Sequence, residues 1–147
     1  MEIKEVKHRK KQYLSLLLLA DEQEDMIDRY LERGVMYVLD DGGVKGECVV
    51  TDEGDGVLEL KNLAVEPAFQ GHGYGKALVD HICKTYQGLF STLQVGTGDS
   101  PLTVPFYEKC GFVRSHVVEN FFTDHYDHPI YEGGVQLVDM VYLQKKL

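Results

Sequence analysis

The sequence predicts a single mixed α/β domain over residues 1–147, and three observations carry that expectation. A chain of 147 residues suffices for one domain with a sizeable core, and its 44% hydrophobic content is that of a folded globular protein. Short runs rich in β-branched residues interleave with stretches whose apolar residues recur at helical spacing. Turn signals at both ends of the chain join extended runs as antiparallel hairpins.

The elements follow in order. "MEIKEVK" alternates and reads as a first strand, and "KKQYLSLLLLAD" reads as a helix. Asp21, with Glu24 three residues on, is a candidate N-cap for a helix over "EQEDMIDRYLERG", with Gly34 as its stop. "VMYVLDDGGVKGECVV" reads as two strands joined through "DDGG", and "TDEGDG" as another turn. "VLELKNLAV" is a fourth strand, whose alternation places Glu59, Lys61, Leu63 and Val65 on one face. The next helix carries Leu78, Ile82 and Tyr86 at four-residue spacing, with Val79 and Cys83 beside them. "LFSTLQVGT" is a fifth strand, "TVPFYEKCG" a short helix ended by Gly111, and "FVRSHVVENFF" a sixth strand. "TDHYDHPIYEGG" reads as an irregular loop and "VQLVDMVYLQ" as a last strand.

Between the fourth strand and its helix lies "AFQGHGYGKAL", with glycine at 71, 73 and 75. Glycine costs a helix about 1 kcal/mol relative to alanine, so a bare backbone here has another use. A helix start exposes free N–H groups and the positive end of the helix dipole, and glycines let that backbone close on a phosphate. Lys76 adds a cation at the same mouth. The dinucleotide fingerprint needs glycine where Lys76 stands. The Walker loop needs glycine at 70 and Ser or Thr at 77, where the chain has Gln70 and Ala77. What remains is Gln70, two residues, Gly73, one residue, Gly75.

That pattern resembles the acyl-CoA pyrophosphate loop of the GNAT superfamily of N-acetyltransferases. "NLAVEPAFQGHGYGKAL" is similar to the family's whole strand–loop–helix unit, and "FYEKCGF" at 106–112 to its second signature. The resemblance is specific over residues 56–113. It implies a mixed, twisted sheet of six to seven strands flanked by about four helices, with the fourth and fifth strands splayed around the acyl-CoA arm. It implies acetyl-CoA as co-substrate, no metal, and direct acetyl transfer to a primary amine of a small molecule or peptide. The alternative of a different class is a non-catalytic acyl-CoA-binding regulatory module with the same fold.

By that resemblance the backbone of Leu63, Ala64 and Val65 serves the pantetheine arm and the thioester oxygen. The loop Gln70, Gly71, His72, Gly73, Tyr74, Gly75 and Lys76 serves the pyrophosphate, and Ser100 touches the CoA arm or caps the helix after it. Tyr107 holds the position of the family's catalytic tyrosine. Its phenol, with an ordinary pKa of about 10, is protonated at neutral pH and suits a departing thiolate. Glu59 matches the catalytic glutamate of some members; it competes with a water chain as the base, and with a simple pairing to Lys61.

Composition excludes other classes. A net charge of −9 disfavours a nucleic-acid binder, and no apolar run reaches the roughly 18 residues of a membrane span. Cys48, Cys83 and Cys110 form no C-x-x-C pair and read as free thiols of a cytoplasmic protein. The "KHRKK" cluster at 7–11 reads as the solvated start of the first helix or as an aid to CoA capture. His125, His128, Asp124 and Asp127 match no zinc spacing and read as an acidic loop, which the family resemblance implies borders the amine site. The acceptor amine and the choice between monomer and homodimer stay open.

Overall fold

The computed structural model describes every residue from Met1 to Leu147. In chain order the elements are β1 (Glu2–Val6), α1 (Leu14–Ala20), α2 (Glu24–Ile27), β2 (Val35–Asp40), β3 (Val44–Gly54) and β4 (Val57–Val65). Then come α3 (Tyr74–Tyr86), β5 (Thr92–Gly98), α4 (Val104–Lys109), β6 (Val113–Val118), α5 (Phe121–His125), β7 (Tyr131–Glu132), β8 (Val135–Gln136) and β9 (Met140–Lys146). Seven strands form one sheet in the order β1-β2-β3-β4-β5-β9-β6, and β7 and β8 make a separate hairpin. The sheet is antiparallel except where β4 runs beside β5, and α3 is the crossover that this parallel pair requires.

Both faces of the sheet are covered. The apolar stripe of α3, Leu78, Val79 and Ile82, packs with Leu58, Leu60, Leu93, Val95 and Leu143. Leu17, Ile27 and Leu31 cover the other face against Met36, Val38 and Val49. A small third cluster, Phe122, Ile130 and Leu137, seats α5 and the β7–β8 hairpin. The three cysteines are free, and no helix is long and apolar enough to cross a membrane.

Two irregularities of β4 shape the site. Val49 of β3 pairs with Asn62 and Val50 with Leu60, so Lys61 is an unpaired bulge. The bulge shifts the alternation: Leu63 packs on the α3 side with Leu58 and Leu60, while Glu59 stays ion-paired with Lys61 at 2.7 Å. The expectation that Glu59, Lys61, Leu63 and Val65 share one face is therefore overturned. The second irregularity is a split. β4 pairs with β5 only from Val57–Thr92 to Leu60–Val95, whereas β5 continues against β9 as far as Gly98–Met140.

Other expectations shift as well. Asp21 does not cap α2: the N-cap is Gln23, and the Asp21 carboxylate is bonded by two tyrosines instead. The helix expected up to Gly34 is one turn of α-helix followed by irregular turns, and Lys10 closes its end by donating to the Leu31 and Gly34 carbonyls at 2.9 and 2.7 Å. Gly34 is needed for close approach, because a Cβ there would meet Val49 at 2.8 Å. Lys11 pairs with Glu24 and Asp28 at the exposed surface, so two lysines of the basic cluster bond within the chain itself. "ENFF" leaves the sixth strand to begin α5, and Val135 and Gln136 belong to the small hairpin, so the last strand starts at Met140.

Candidate active site

The loop before α3 leaves a run of backbone amides free. Gln70 ties it back to β4 by donating to the Val65 carbonyl at 3.2 Å. Gly71 and Gly73 take φ of +83° and +82°, left-handed values that only glycine adopts freely, and open space lies where a Cβ would project. From Gly71 to Lys76 no amide bonds a backbone carbonyl; the first to do so is Ala77, to Gly73 at 3.0 Å. Those free amides and the positive helix end make a cradle for phosphate oxygens. Tyr74 anchors the helix start by donating to Asp41 at 2.6 Å, and Lys76 pairs with Asp80 at 2.9 Å. His72 is exposed and stacks on Tyr74.

The cradle opens onto a cavity of about 630 Å³, lined by Leu63, Ala64 and Val65, by Gln70, Gly71, Gly73, Tyr74, Gly75 and Lys76, and by Phe106 and Tyr107. Past Leu60 the β5-facing edge of β4 has no neighbouring strand. Unpaired backbone groups inside a protein demand a partner, and an extended ligand arm with amide groups is one. The residues present thus fit an acyl-CoA: free amides for the pyrophosphate and an open strand edge for the arm.

Tyr107 stands where this cavity meets a second one of about 280 Å³, between the splayed halves of β4 and β5. Both cavities are also lined by Leu63, Thr103 and Glu132. The ring of Tyr107 is wedged edge-on between Phe106 and Phe112, with centroids at 5.1 and 5.6 Å, and the residue is only 8% exposed. Burial raises its pKa, so the phenol is a proton donor at neutral pH. Gly75 brings α3 against α4: a Cβ there would sit 3.2 Å from Phe106.

Other candidates fall elsewhere. Glu59 is buried, accepts from Gln94 at 2.5 Å and pairs with Lys61, and it lines a third cavity of about 260 Å³ rather than the one at Tyr107. Ser100 is buried, and its hydroxyl accepts the Leu102 amide at 3.0 Å, a turn contact ahead of α4. Asp124 and Asp127 are exposed and line none of these three cavities, while His128 sits between Asp127 and Glu22. From the same loop Tyr126 and Glu132 do reach the cavities, and burial raises the Glu132 pKa against the pull of the Ser100 hydroxyl.

The structure adds a group that the sequence reading placed only as a cap. Asp21 lines both the second and the third cavity, and it accepts from Tyr126 at 2.7 Å and Tyr30 at 3.0 Å. Asn62, on the bulged stretch of β4, donates to the Tyr30 hydroxyl at 3.1 Å. The only sequence signal was a carboxylate beside the end of an apolar helix, and the two tyrosines that hold it come from distant parts of the chain.

Comparison with known proteins agrees with this geometry. The model of the acetyltransferase (GNAT) domain matches residues 32–114. An uncharacterized N-acetyltransferase of Bacillus subtilis, YvbK, is 40% identical over 131 residues, covering 87% of this chain and 84% of that protein. A GNAT family acetyltransferase from Elizabethkingia anophelis, solved with acetyl-CoA bound, superposes with a TM-score of 0.93 at 32% identity, over 99% of this chain and 97% of that one. A Bacillus subtilis acetyltransferase solved in complex with CoA gives 0.89 at 36% identity, over 99% and 98%. Taken with the glycine cradle, the split sheet and the buried tyrosine, these likenesses show that the chain belongs to the GNAT acetyltransferase family.

Proposed function

We propose that the protein transfers the acetyl group of acetyl-CoA directly to the primary amine of a small molecule or peptide. The observation that carries this reading is the junction at Tyr107. A cavity fitted to an acyl-CoA opens there into one lined by carboxylates, among them Asp21, Glu22 and Glu132. Acetyl-CoA supplies the activated acetyl group. In this reading the amides of Gly71 to Lys76 hold its pyrophosphate, and the edge of β4 at Leu63, Ala64 and Val65 aligns its arm. The thioester then lies at Tyr107, whose hydroxyl gives a proton to the departing sulfur. Carboxylates in the second cavity favour an acceptor that arrives as a cation.

The testing experiment is release of free CoA from acetyl-CoA in the presence of spermidine, lysine, glucosamine 6-phosphate or an alanine-terminated peptide. Amine-dependent release by the wild type supports the reading. Tight acetyl-CoA binding with no release from any amine favours the regulatory module instead.

A further inference from the structure

Three parts of the chain converge to orient the Asp21 carboxylate. Asp21 itself ends α1, its amide bonding the Leu17 carbonyl at 3.1 Å. Tyr126, just past α5, donates to Oδ1 at 2.7 Å, and Tyr30, from the turns after α2, donates to Oδ2 at 3.0 Å. Asn62 of β4 bonds both the Tyr30 hydroxyl and the Leu17 carbonyl at 3.1 Å. A helix end needs none of this.

The carboxylate also lacks a cation. Glu59 across the cavity has Lys61, and Glu22 beside it has His128, but no lysine, arginine or histidine pairs with Asp21. Half-buried carboxylates are costly when unpaired, and two hydroxyls compensate only in part. A cation entering the cavity that Asp21 shares with Tyr107 would pair with this carboxylate. An acceptor amine enters as an ammonium ion and must lose a proton before it can attack.

We propose that Asp21 is the catalytic residue that binds the acceptor's ammonium group and takes its proton. This assignment rests on the acetyltransferase reading. One ammonium N–H bond breaks, its electron pair stays on nitrogen, and the proton moves to an Asp21 oxygen. The neutral nitrogen forms a bond to the acetyl carbon, and the C–S bond breaks with its electron pair on sulfur. The sulfur takes the Tyr107 proton, and the second nitrogen proton restores the phenol. Asp21 then releases its proton to solvent, so each turnover yields amide, free thiol and one proton.

The surroundings act on the ionisation of Asp21 from both directions. Burial is the main influence on Asp21 and raises its carboxyl pKa; Asp25 pushes the same way, and the Tyr126 and Tyr30 hydroxyls oppose it. Arg29 and Arg33 from the turns after α2, Glu59 and Lys61 from β4, and Tyr142 from β9 face it across the third cavity. Glu22 and Glu132 face it across the second.

The test uses Asp21→Asn and Tyr126→Phe with whichever amine of the panel the wild type turns over fastest. Asp21→Asn should lower kcat/KM by roughly 10²–10⁴ and abolish the acidic limb of its pH profile, with acetyl-CoA affinity unchanged. Tyr126→Phe removes a donor to the carboxylate and should move that limb to higher pH, a shift that a merely structural Asp21 does not produce. Should Asp21→Asn fail to fold, the Tyr126→Phe limb still decides. Wild-type turnover by Asp21→Asn, or an unmoved limb in Tyr126→Phe, overturns the assignment while leaving the acetyltransferase reading intact. Loss of the limb in Glu59→Gln but not in Asp21→Asn gives the role to Glu59. If no amine releases CoA from the wild type, the acetyltransferase reading falls and the assignment falls with it.

Discussion

Tyr107 is the residue on which sequence and structure converge most closely. Its place in "FYEKCGF" marked it, and the fold sets its ring at the junction of two cavities. Tyr107→Phe keeps the packing against Phe106 and Phe112 and loses only the donor. It should lower kcat by roughly 10²–10⁴ with acetyl-CoA affinity nearly unchanged, measured by steady-state kinetics and calorimetry. Full turnover by the variant removes the general-acid role. Glu47 was not legible at all. It sits in an alternating strand pattern, yet the covered sheet buries it completely and leaves both carboxyl oxygens unpartnered. Burial pushes its pKa well above the ordinary carboxylate value. Because the folded pKa exceeds the unfolded one, Glu47 contributes full stability below the unfolded pKa. That contribution is lost as pH rises through the folded value. Glu47→Gln cannot ionise, so its melting temperature should gain on the wild type steadily from pH 5 to pH 8. Parallel melting curves would show that Glu47 is not a buried ionising group.

At the scale of elements, legibility followed the range of the interactions. The glycine loop's backbone could be read because its demands are local: positive φ at Gly71 and Gly73 and free amides at a helix start are written in neighbouring residues. The β4 bulge could not, because it is a mismatch with β3, and the letters of "LELKNLAV" alternate no differently with it. The turns after α2 carry a helical pattern in the sequence for a similar reason. Their terminal carbonyls are closed by Lys10, more than twenty residues away, so nothing near them in sequence signals the break. The loop also carries a prediction. A side chain at Gly73 meets open space, so Gly73→Val strains the backbone without a clash, at a cost of about 1–2 kcal/mol for the left-handed conformation. Relief of that strain turns the cradle amides away from the phosphate site. The variant should stay folded by circular dichroism and lose CoA binding by calorimetry. Wild-type affinity in a folded Gly73→Val would remove the loop from the site.

On the scale of the whole molecule the fold is a sheet divided at its middle. β1 to β4 pair among themselves, β5, β9 and β6 pair among themselves, and the two groups are zipped only from Val57–Thr92 to Leu60–Val95. α3 packs across the zipped part, while past Leu60 the halves diverge around the cavity at Tyr107. A ligand in that opening touches both halves: β4 and the cradle on one side, and α4, which follows β5, on the other. Binding should therefore stabilise the global fold and not one loop alone. A ligand at 100 times its Kd stabilises the native state by about 2.7 kcal/mol. For a domain near 150 residues each kcal/mol raises Tm by about 2–4 °C, so CoA at that excess should raise it by roughly 5–10 °C. ATP and NAD at the same concentration carry phosphates for the cradle but no pantetheine arm for the β4 edge, and they should shift Tm far less. Gly73→Val, measured in parallel, should lose the CoA shift. Equal shifts by CoA and ATP would mean that the cradle acts alone and that the split between β4 and β5 takes no part in binding.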